Sequence, residues 1–297
     1  MGLGPLSLLA VIDLGSNTVR LAVFQTVNQK LNLLFDKKTV LGLVSYVENG
    51  CLNEEGMAAV CRVLNEYRRI LNGLQIESDH IRVFATASIR NVANRDEAVE
   101  VIRTETGFAV DVLSGEEEAK LGFIGVTLGT DVQDGVFADI GGGSSEIIIY
   151  AQHQMRSAKS MPLGALNVYA NYVDGLFPSL EEYVQIQNIV RNQMEELALP
   201  QGQYENLYGI GGTVRAAVKV CEAIYGAIEH NKLPVSLIEN MLRRFRDCSK
   251  ETIAPIVQHA PERIHTIIPG MMILHSIAKR FSCSHIIVSP YGIREGY

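Results

Sequence analysis

The sequence predicts an α/β protein of two domains, and three observations predict it. A glycine-rich hairpin occurs twice, each copy is followed by alternating strand-like and helix-like stretches, and 297 residues exceed what one core usually serves. The first hairpin is Val11 to Phe24, VIDLGSNTVRLAVF, and the second is Val136 to Tyr150, VFADIGGGSSEIIIY. In each, an apolar strand carries an aspartate near its end, turns tightly through Gly, Ser or Asn, and runs back as a second apolar strand. Such a turn leaves backbone N–H groups unpaired and lets the chain approach an anion closely, which suits phosphate. The aspartate would repel phosphate, so its expected partner is a divalent metal bridging carboxylate and phosphate. The copies lie about 126 residues apart. They are therefore read as a duplicated domain, residues 1–126 and 127–297, with a phosphate site in the cleft between copies.

Each element has a local reason. Leu6 to Ile12 is a buried first strand, and Leu31 to Leu43 continues as strand. A helix starting at Asn53 carries Met57, Val60, Cys61, Leu64, Tyr67 and Leu71 on one face and stops at Gly73. Ile81 to Ala85 is a short buried strand. Asn94 with Glu97 reads as a capping box for a helix ending near Gly107, Phe108 to Leu113 as a strand, and Ser114 with Glu117 as a second capping box. In the second half, Ser179 and Glu182 cap a helix with Tyr183, Ile186, Val190, Met194 and Leu197 on its face, closed by Pro200. Leu207 to Ile210 is a strand leading into Gly211, Gly212 and Thr213, a third glycine turn, here opening a helix whose N-terminus favours an anion. Ser236 with Glu239 caps a helix to about Ser249, Pro269 and Gly270 start another, and His285 to Ser289 is a last strand.

Composition excludes several classes. A net charge of −7 and a pI near 5.6 argue against nucleic acid as the main partner. Cys51, Cys61, Cys221, Cys248 and Cys283 are odd in number and lack CxxC spacing, so neither a disulfide framework nor a zinc site is expected, and a reducing cytoplasm fits. His80, His153, His230, His259, His265, His275 and His285 show no metal-ligand spacing. No segment has the length and apolarity of a membrane helix, so no membrane partner is expected.

Asp139 and Glu146 lie on the two strands of one hairpin, either side of Gly141, Gly142 and Gly143, where both carboxylates can reach Mg2+ at the turn. Asp13 on the other hairpin is a further ligand or water-holder. The alternative for Asp139 is that it fixes the turn by accepting backbone N–H bonds. Phosphate donors are expected from Ser16, Asn17 and Arg20 in the first turn, from Gly142, Gly143 and Ser144 in the second, and from Gly211, Gly212 and Thr213 in the third.

With these segments in hand the chain resembles the exopolyphosphatase / guanosine pentaphosphate phosphohydrolase family, within the actin-like ATPase superfamily. The resemblance runs over essentially the whole chain. It rests on DLGSN at 13–17, ATASIR at 85–90, SGEEEA at 114–119, DIGGGSSE at 139–146, PLG at 162–164, GGT at 211–213 and GIREG at 292–296. It implies two actin-like, ribonuclease H-like domains with a central interdomain cleft, and a Mg2+-dependent hydrolase acting on inorganic polyphosphate or guanosine pentaphosphate. It also implies Glu118 as catalytic base, Arg90 lining the cleft, Arg263 contacting the distal end of the substrate, and a homodimer. Glu117 is better explained as the partner of Ser114 and Glu116 as a solvated neighbour. The family usually places Arg where this chain has Lys120, which keeps the charge but loses the planar fork. Longer members carry an additional C-terminal helical domain, so these 297 residues resemble the short two-domain branch. Two other readings stay open: a non-hydrolytic sensor of guanosine tetraphosphate or polyphosphate, and an actin-like kinase using ATP.

Overall fold

The computed structural model describes residues 8–27, 30–130, 132, 134–228, 231–247 and 249–297; Leu6, His230 and Cys248 lie outside them. The chain divides into two compact units, Met1–Ser114 and Gly115–Tyr297. The helix beginning at Gly115 packs on the sheet of the second unit.

The first unit runs β1 (Leu8–Leu14), β2 (Thr18–Val27), β3 (Lys30–Val40), β4 (Val47–Glu48), β5 (Cys51–Leu52), α1 (Glu54–Gly73), β6 (Ile81–Ala85), α2 (Ala87–Arg90), α3 (Arg95–Thr106) and β7 (Asp111–Val112). Its five-stranded sheet has the order β3-β2-β1-β6-β7, with β1, β2 and β3 antiparallel and β6 and β7 parallel additions. Alternation along the strands selects the core: Ala10, Ile12 and Leu14 of β1 and Val19, Leu21 and Val23 of β2 join Val60, Leu64 and Tyr67 of α1. Asp13 and Arg20, one residue out of phase, belong to the opposite face. Asn53 caps α1 as expected, its side chain accepting from Gly56 N at 2.9 Å.

Two expectations here are corrected. Asn94 makes no side-chain cap on α3. Its Oδ1 accepts from Leu52 N at 2.8 Å and its Nδ2 donates to Leu52 O at 2.9 Å, so the amide completes the short strand β5 like a strand partner. The strand expected over 108–113 shrinks to Asp111–Val112, because Phe108 is spent covering the helical core.

The second unit runs α4 (Gly115–Thr127), β8 (Gly135–Ile140), β9 (Ser145–Ala151), β10 (Gln154–Met161), α5 (Ala165–Tyr172), α6 (Leu180–Glu196), β11 (Asn206–Ile210), α7 (Gly211–Tyr225), β12 (Lys232–Pro234), α8 (Val235–Arg244), α9 (Lys250–His259), α10 (Ile267–Arg280), β13 (His285–Val288) and α11 (Ile293–Gly296). Its sheet order is β10-β9-β8-β11-β13-β12. The first five strands repeat the order and directions of the first sheet, so the duplication read from the hairpins extends to the topology.

The Ser179 box is present: Ser179 Oγ accepts from Glu182 N, and Glu182 Oε2 accepts from Ser179 N at 2.7 Å. Ser236 caps nothing, since α8 already begins at Val235 after Pro234; Glu239 instead meets Arg243 at 3.1 Å and Lys279 at 3.4 Å. The helix expected at Pro269 starts at Ile267, which leaves the proline in its first turn, where its missing N–H costs nothing.

Asn94→Ala is expected to lower the unfolding free energy by about 2 kcal/mol, for two lost hydrogen bonds with their backbone partners left bare. Ser179→Ala should lower it by about 1 kcal/mol. Urea denaturation of the two variants checks both values and their order.

Candidate active site

The period of two along the second sheet decides where the acids go. Val136, Ala138 and Ile140 of β8 and Ile147 and Ile149 of β9 belong to the large core under α6, α7 and α10. Phe137 and Ile148 belong to the other face, which α4 covers with Ala119, Phe123 and Val126. Asp139 and Glu146 share the phase of Phe137 and Ile148, so both side chains fall on the α4 face. An aromatic cluster fixes the helix there: Phe123 meets Phe137 edge-on and Tyr150 tilted, each at 4.8 Å between centroids, and Phe137 stacks on Tyr208 at 4.9 Å. Of the three consecutive glutamates in the first turn of α4, Glu116 and Glu117 are exposed and Glu118 is half-buried. Glu116 is tied to Lys120 at 2.7 Å, which accounts for that lysine at the surface.

The glycine turn is clamped by its own backbone and by the start of α5. Gly141 N donates to Ser144 O at 3.0 Å, the same closure that Gly15 N makes to Thr18 O at 3.1 Å in the first unit. The start of α5 then takes up the turn's carbonyls: Ala165 N bonds Gly141 O, Leu166 N and Asn167 N bond Gly142 O, and Asn167 Nδ2 bonds Gly143 O at 2.8 Å. This approach needs a glycine at 164, because a Cβ there would collide with the backbone of Gly142 and Gly143. No described group accepts from the N–H of Gly142 or Gly143. The PLG motif therefore holds the turn's carbonyls and leaves two donors for an anion.

Asp139 and Glu146 stand directly opposite one another in the antiparallel β8/β9 register. Burial pushes the Glu146 carboxyl well above the usual carboxylate range, and the charges of Glu118 and then Asp139 push it further; hydrogen bonds from Ser160 and Ser144, both 2.8 Å to Oε1, oppose this. Burial likewise raises Asp139, opposed by the positive charges of Arg215, Arg263 and Arg294. Glu118 and Asp139 thus act on Glu146, and three guanidinium groups act on Asp139.

The third turn joins the same place. Gly211 has φ 86, and a Cβ on it would lie 2.5 Å from Asp139 Oδ1, so only glycine lets α7 begin against that carboxylate. The Arg263 guanidinium lies over Gly212, beside the turn. Thr213 is 1% exposed, and its hydroxyl donates to Ile140 O at 3.0 Å. Through this hydroxyl it bonds the second and third turns to each other. Arg294 comes from α11, whose Gly292 and Gly296 press on the backbone of α4 at Gly125 and Leu121. Arg294 stands in GIREG and Arg215 two residues after GGT, but no spacing rule assigns them a role; their signal is the glycines that bring their helices close.

The first unit holds its own expected residues. Asp13 stands opposite Arg20 in the β1/β2 register, where the second unit has Asp139 opposite Glu146. Arg20 also approaches Asp36 at 3.7 Å. Ser16 is buried, and Asn17 O accepts from Leu41 N and Gly42 N, so this turn's main chain is tied down as well. Arg90 ends α2 and donates to Leu113 O at 3.0 Å.

Among the described residues, only Glu77, Asp79 and His80 bring three potential ligand atoms within 4.8 Å of one another, and all three are exposed. Glu118, Asp139 and Glu146 are more widely spread. Cys51, Cys61, Cys221 and Cys283 are free, with burial pushing Cys221 up to about 11 and Cys283 up to about 12, so these two thiols are inert. No helix among the described residues is long and apolar enough to cross a membrane.

A duplicated five-strand unit built on glycine-turn hairpins defines the actin-like, two-domain class of α/β fold. The chain belongs to the Ppx/GppA phosphatase family, whose model matches residues 22–297. It is similar to the "Bifunctional 3-dehydroquinate synthase/phosphatase" of Fusobacterium nucleatum subsp. nucleatum, 28% identical over 94% of this chain, and spans 44% of that protein's length. It is 27% identical to the "Putative exopolyphosphatase" of Haemophilus influenzae, over 97% of this chain and 89% of that one. Among solved structures, an exopolyphosphatase from Cytophaga hutchinsonii matches with TM-score 0.84 at 22% identity, over 98% of this chain and 96% of that one. The Aquifex aeolicus PPX-GPPA enzyme matches with TM-score 0.79 at 24% identity, over 98% of each. These two likenesses show the fold.

The raised acid gives a pH prediction. Because Glu146 holds its proton more tightly folded than unfolded, its ionisation costs stability, and the cost grows as pH rises above the ordinary value of 4.5. Without divalent cations, Glu146→Gln should therefore melt higher than wild type at about pH 8 and lose that advantage at about pH 4, as followed by circular dichroism.

Proposed function

We propose that the chain is a Mg2+-dependent exopolyphosphatase that hydrolyses the terminal phosphoanhydride of inorganic polyphosphate, guanosine pentaphosphate, or both. The observation that carries this reading is the grouping of half-buried Glu118 with the opposed pair Asp139 and Glu146, beside a turn with two unused amides. A pure anion binder has no need of three acids there. The Haemophilus relative's name supports the reading, and the Fusobacterium relative's name supports its coarser part, a phosphatase.

In this reading, Glu118 orients a water and takes its proton as the oxygen attacks the terminal phosphorus in line. The bridging P–O bond breaks, and its electron pair leaves on the shortened chain. Gly142 and Gly143 N–H, with Ser144 and the N-terminus of α7 at Gly211 and Gly212, receive phosphate oxygens, and Arg263 adds charge beside the turn. Ser16, Asn17, Arg20 and Arg90 of the first unit are further phosphate donors, and Asp13 a further ligand or water-holder. The donor set fits Mg2+: two hard carboxylates stand opposite one another in the β8/β9 register, the kind of oxygen donor this ion takes alongside waters and phosphate. Bound there, the ion would neutralise charge on the phosphate oxygens. The homodimer implied by the resemblance and the cytoplasmic location expected from the cysteines are carried with this proposal.

Phosphate release should be measured on polyphosphate and on guanosine pentaphosphate, with Mg2+ and with EDTA. The expected result is release that EDTA abolishes, and a Glu118→Gln variant that melts like wild type but loses about 10²- to 10⁴-fold in kcat. Near-normal turnover by that variant would refute the role of Glu118, and binding of either ligand without release would mark a sensor instead.

A further inference from the structure

The proposed hydrolysis needs Glu118, on a helix, and Glu146, on a strand, to keep a fixed mutual geometry. One side chain touches both supports. Ser160 on β10 stands opposite Glu146 in the β9/β10 register. Its Oγ donates to Glu146 Oε1 at 2.8 Å, and Ser144 Oγ donates to the same oxygen at 2.8 Å. Two hydroxyls converging on one oxygen restrain the rotation of the carboxylate.

Ser160 is also where α4 begins. A Cβ on Gly115 would collide with Ser160 Cβ and lie 2.8 Å from its Oγ, so the helix starts against this serine and only glycine fits at its first position. Glu118 follows three residues later, on nearly the same side of the helix. A larger residue at either position of this contact would lift the first turn of α4 and carry Glu118 with it.

We infer that Ser160 is a positioning residue of the proposed hydrolytic centre, holding Glu146 by its hydroxyl and seating Glu118 through the contact of its Cβ with Gly115. The inference rests on the reading that these two acids work together. Its two halves separate by substitution. Ser160→Ala keeps the seat and removes the hydroxyl, Ser160→Thr keeps the hydroxyl and adds a methyl at the seat, and Gly115→Ala crowds the same seat from the helix side.

Each variant would be assayed for the Mg2+-induced rise in melting temperature, the Mg2+ concentration for half-maximal phosphate release, and kcat and KM on polyphosphate. For Ser160→Ala the Mg2+-induced rise should shrink and half-activation should need about tenfold more Mg2+ or beyond, with KM unchanged. Ser160→Thr and Gly115→Ala should share a kcat lowered by about 10- to 100-fold while responding to Mg2+ like wild type. A wild-type Mg2+ response from Ser160→Ala, or a wild-type kcat from Ser160→Thr, would overturn the inference; the latter holds even if Gly115→Ala fails to fold. Absence of phosphate release by wild type would instead sink the hydrolytic reading, leaving the Mg2+-induced melting shift to judge the hold of Ser160 on Glu146.

Discussion

Two carboxylates facing one another across adjacent strands are the constraint around which the second unit is built. Asp139 and Glu146 occupy a directly opposed pair, an arrangement that on its own destabilises a sheet. At an effective dielectric of about 20, charges about 5 Å apart repel by roughly 3 kcal/mol. The first unit has the same hairpin with the opposite solution, placing Arg20 across from Asp13. Replacing that arginine by a glutamate in the second copy exchanges a self-balanced pair for one that calls for outside positive charge. The three arginines acting on Asp139 supply part of it from the chain itself, and a divalent cation would supply the rest.

The surrounding architecture holds this pair in place through close backbone contact. Gly164 brings the start of α5 onto the carbonyls of the glycine turn, Gly211 brings α7 onto Asp139, and Thr213 bonds the two turns to each other. On the outer side, α4 is fixed at one end by the aromatic cluster around Phe123 and along its length by α11. A helix held so firmly can present one half-buried glutamate at a constant position, which is what general base catalysis asks of it. The motifs GGT, PLG and GIREG therefore have a shared physical meaning: each puts a glycine where a helix must touch the loop or helix that bears an acid.

Much of this was legible in the sequence, and the exceptions have physical causes. The hairpins announce themselves because an apolar strand, an aspartate and a glycine turn leave little conformational choice, and α1 and α6 because their caps and apolar faces agree. The strand β10 was hidden: QMRSAKSM alternates weakly, and it pairs on one side only. Helix α5 is eight residues long, and α9 carries Pro255 inside it, so neither shows a full helical pattern. Asn94 misled because an amide that suits a helix cap also suits a strand edge. Ser160 was out of reach for the same reason as β10, although the first unit's third strand, applied to the second copy, would have pointed to a residue opposite Glu146. The opposed acids themselves were readable, since both hairpins are numbered alike from their aspartates, and only the register was needed to set Arg20 and Glu146 at equivalent positions.

The account stands on Asp139 and Glu146 acting as a cation-holding pair, and calorimetric titration of Mg2+ into the phosphate-saturated protein tests this most directly. Wild type should bind Mg2+ with a measurable heat, and Glu146→Gln and Asp139→Asn should each lose most of that affinity while remaining folded. Binding of equal strength in all three would place the ion elsewhere and contradict the account.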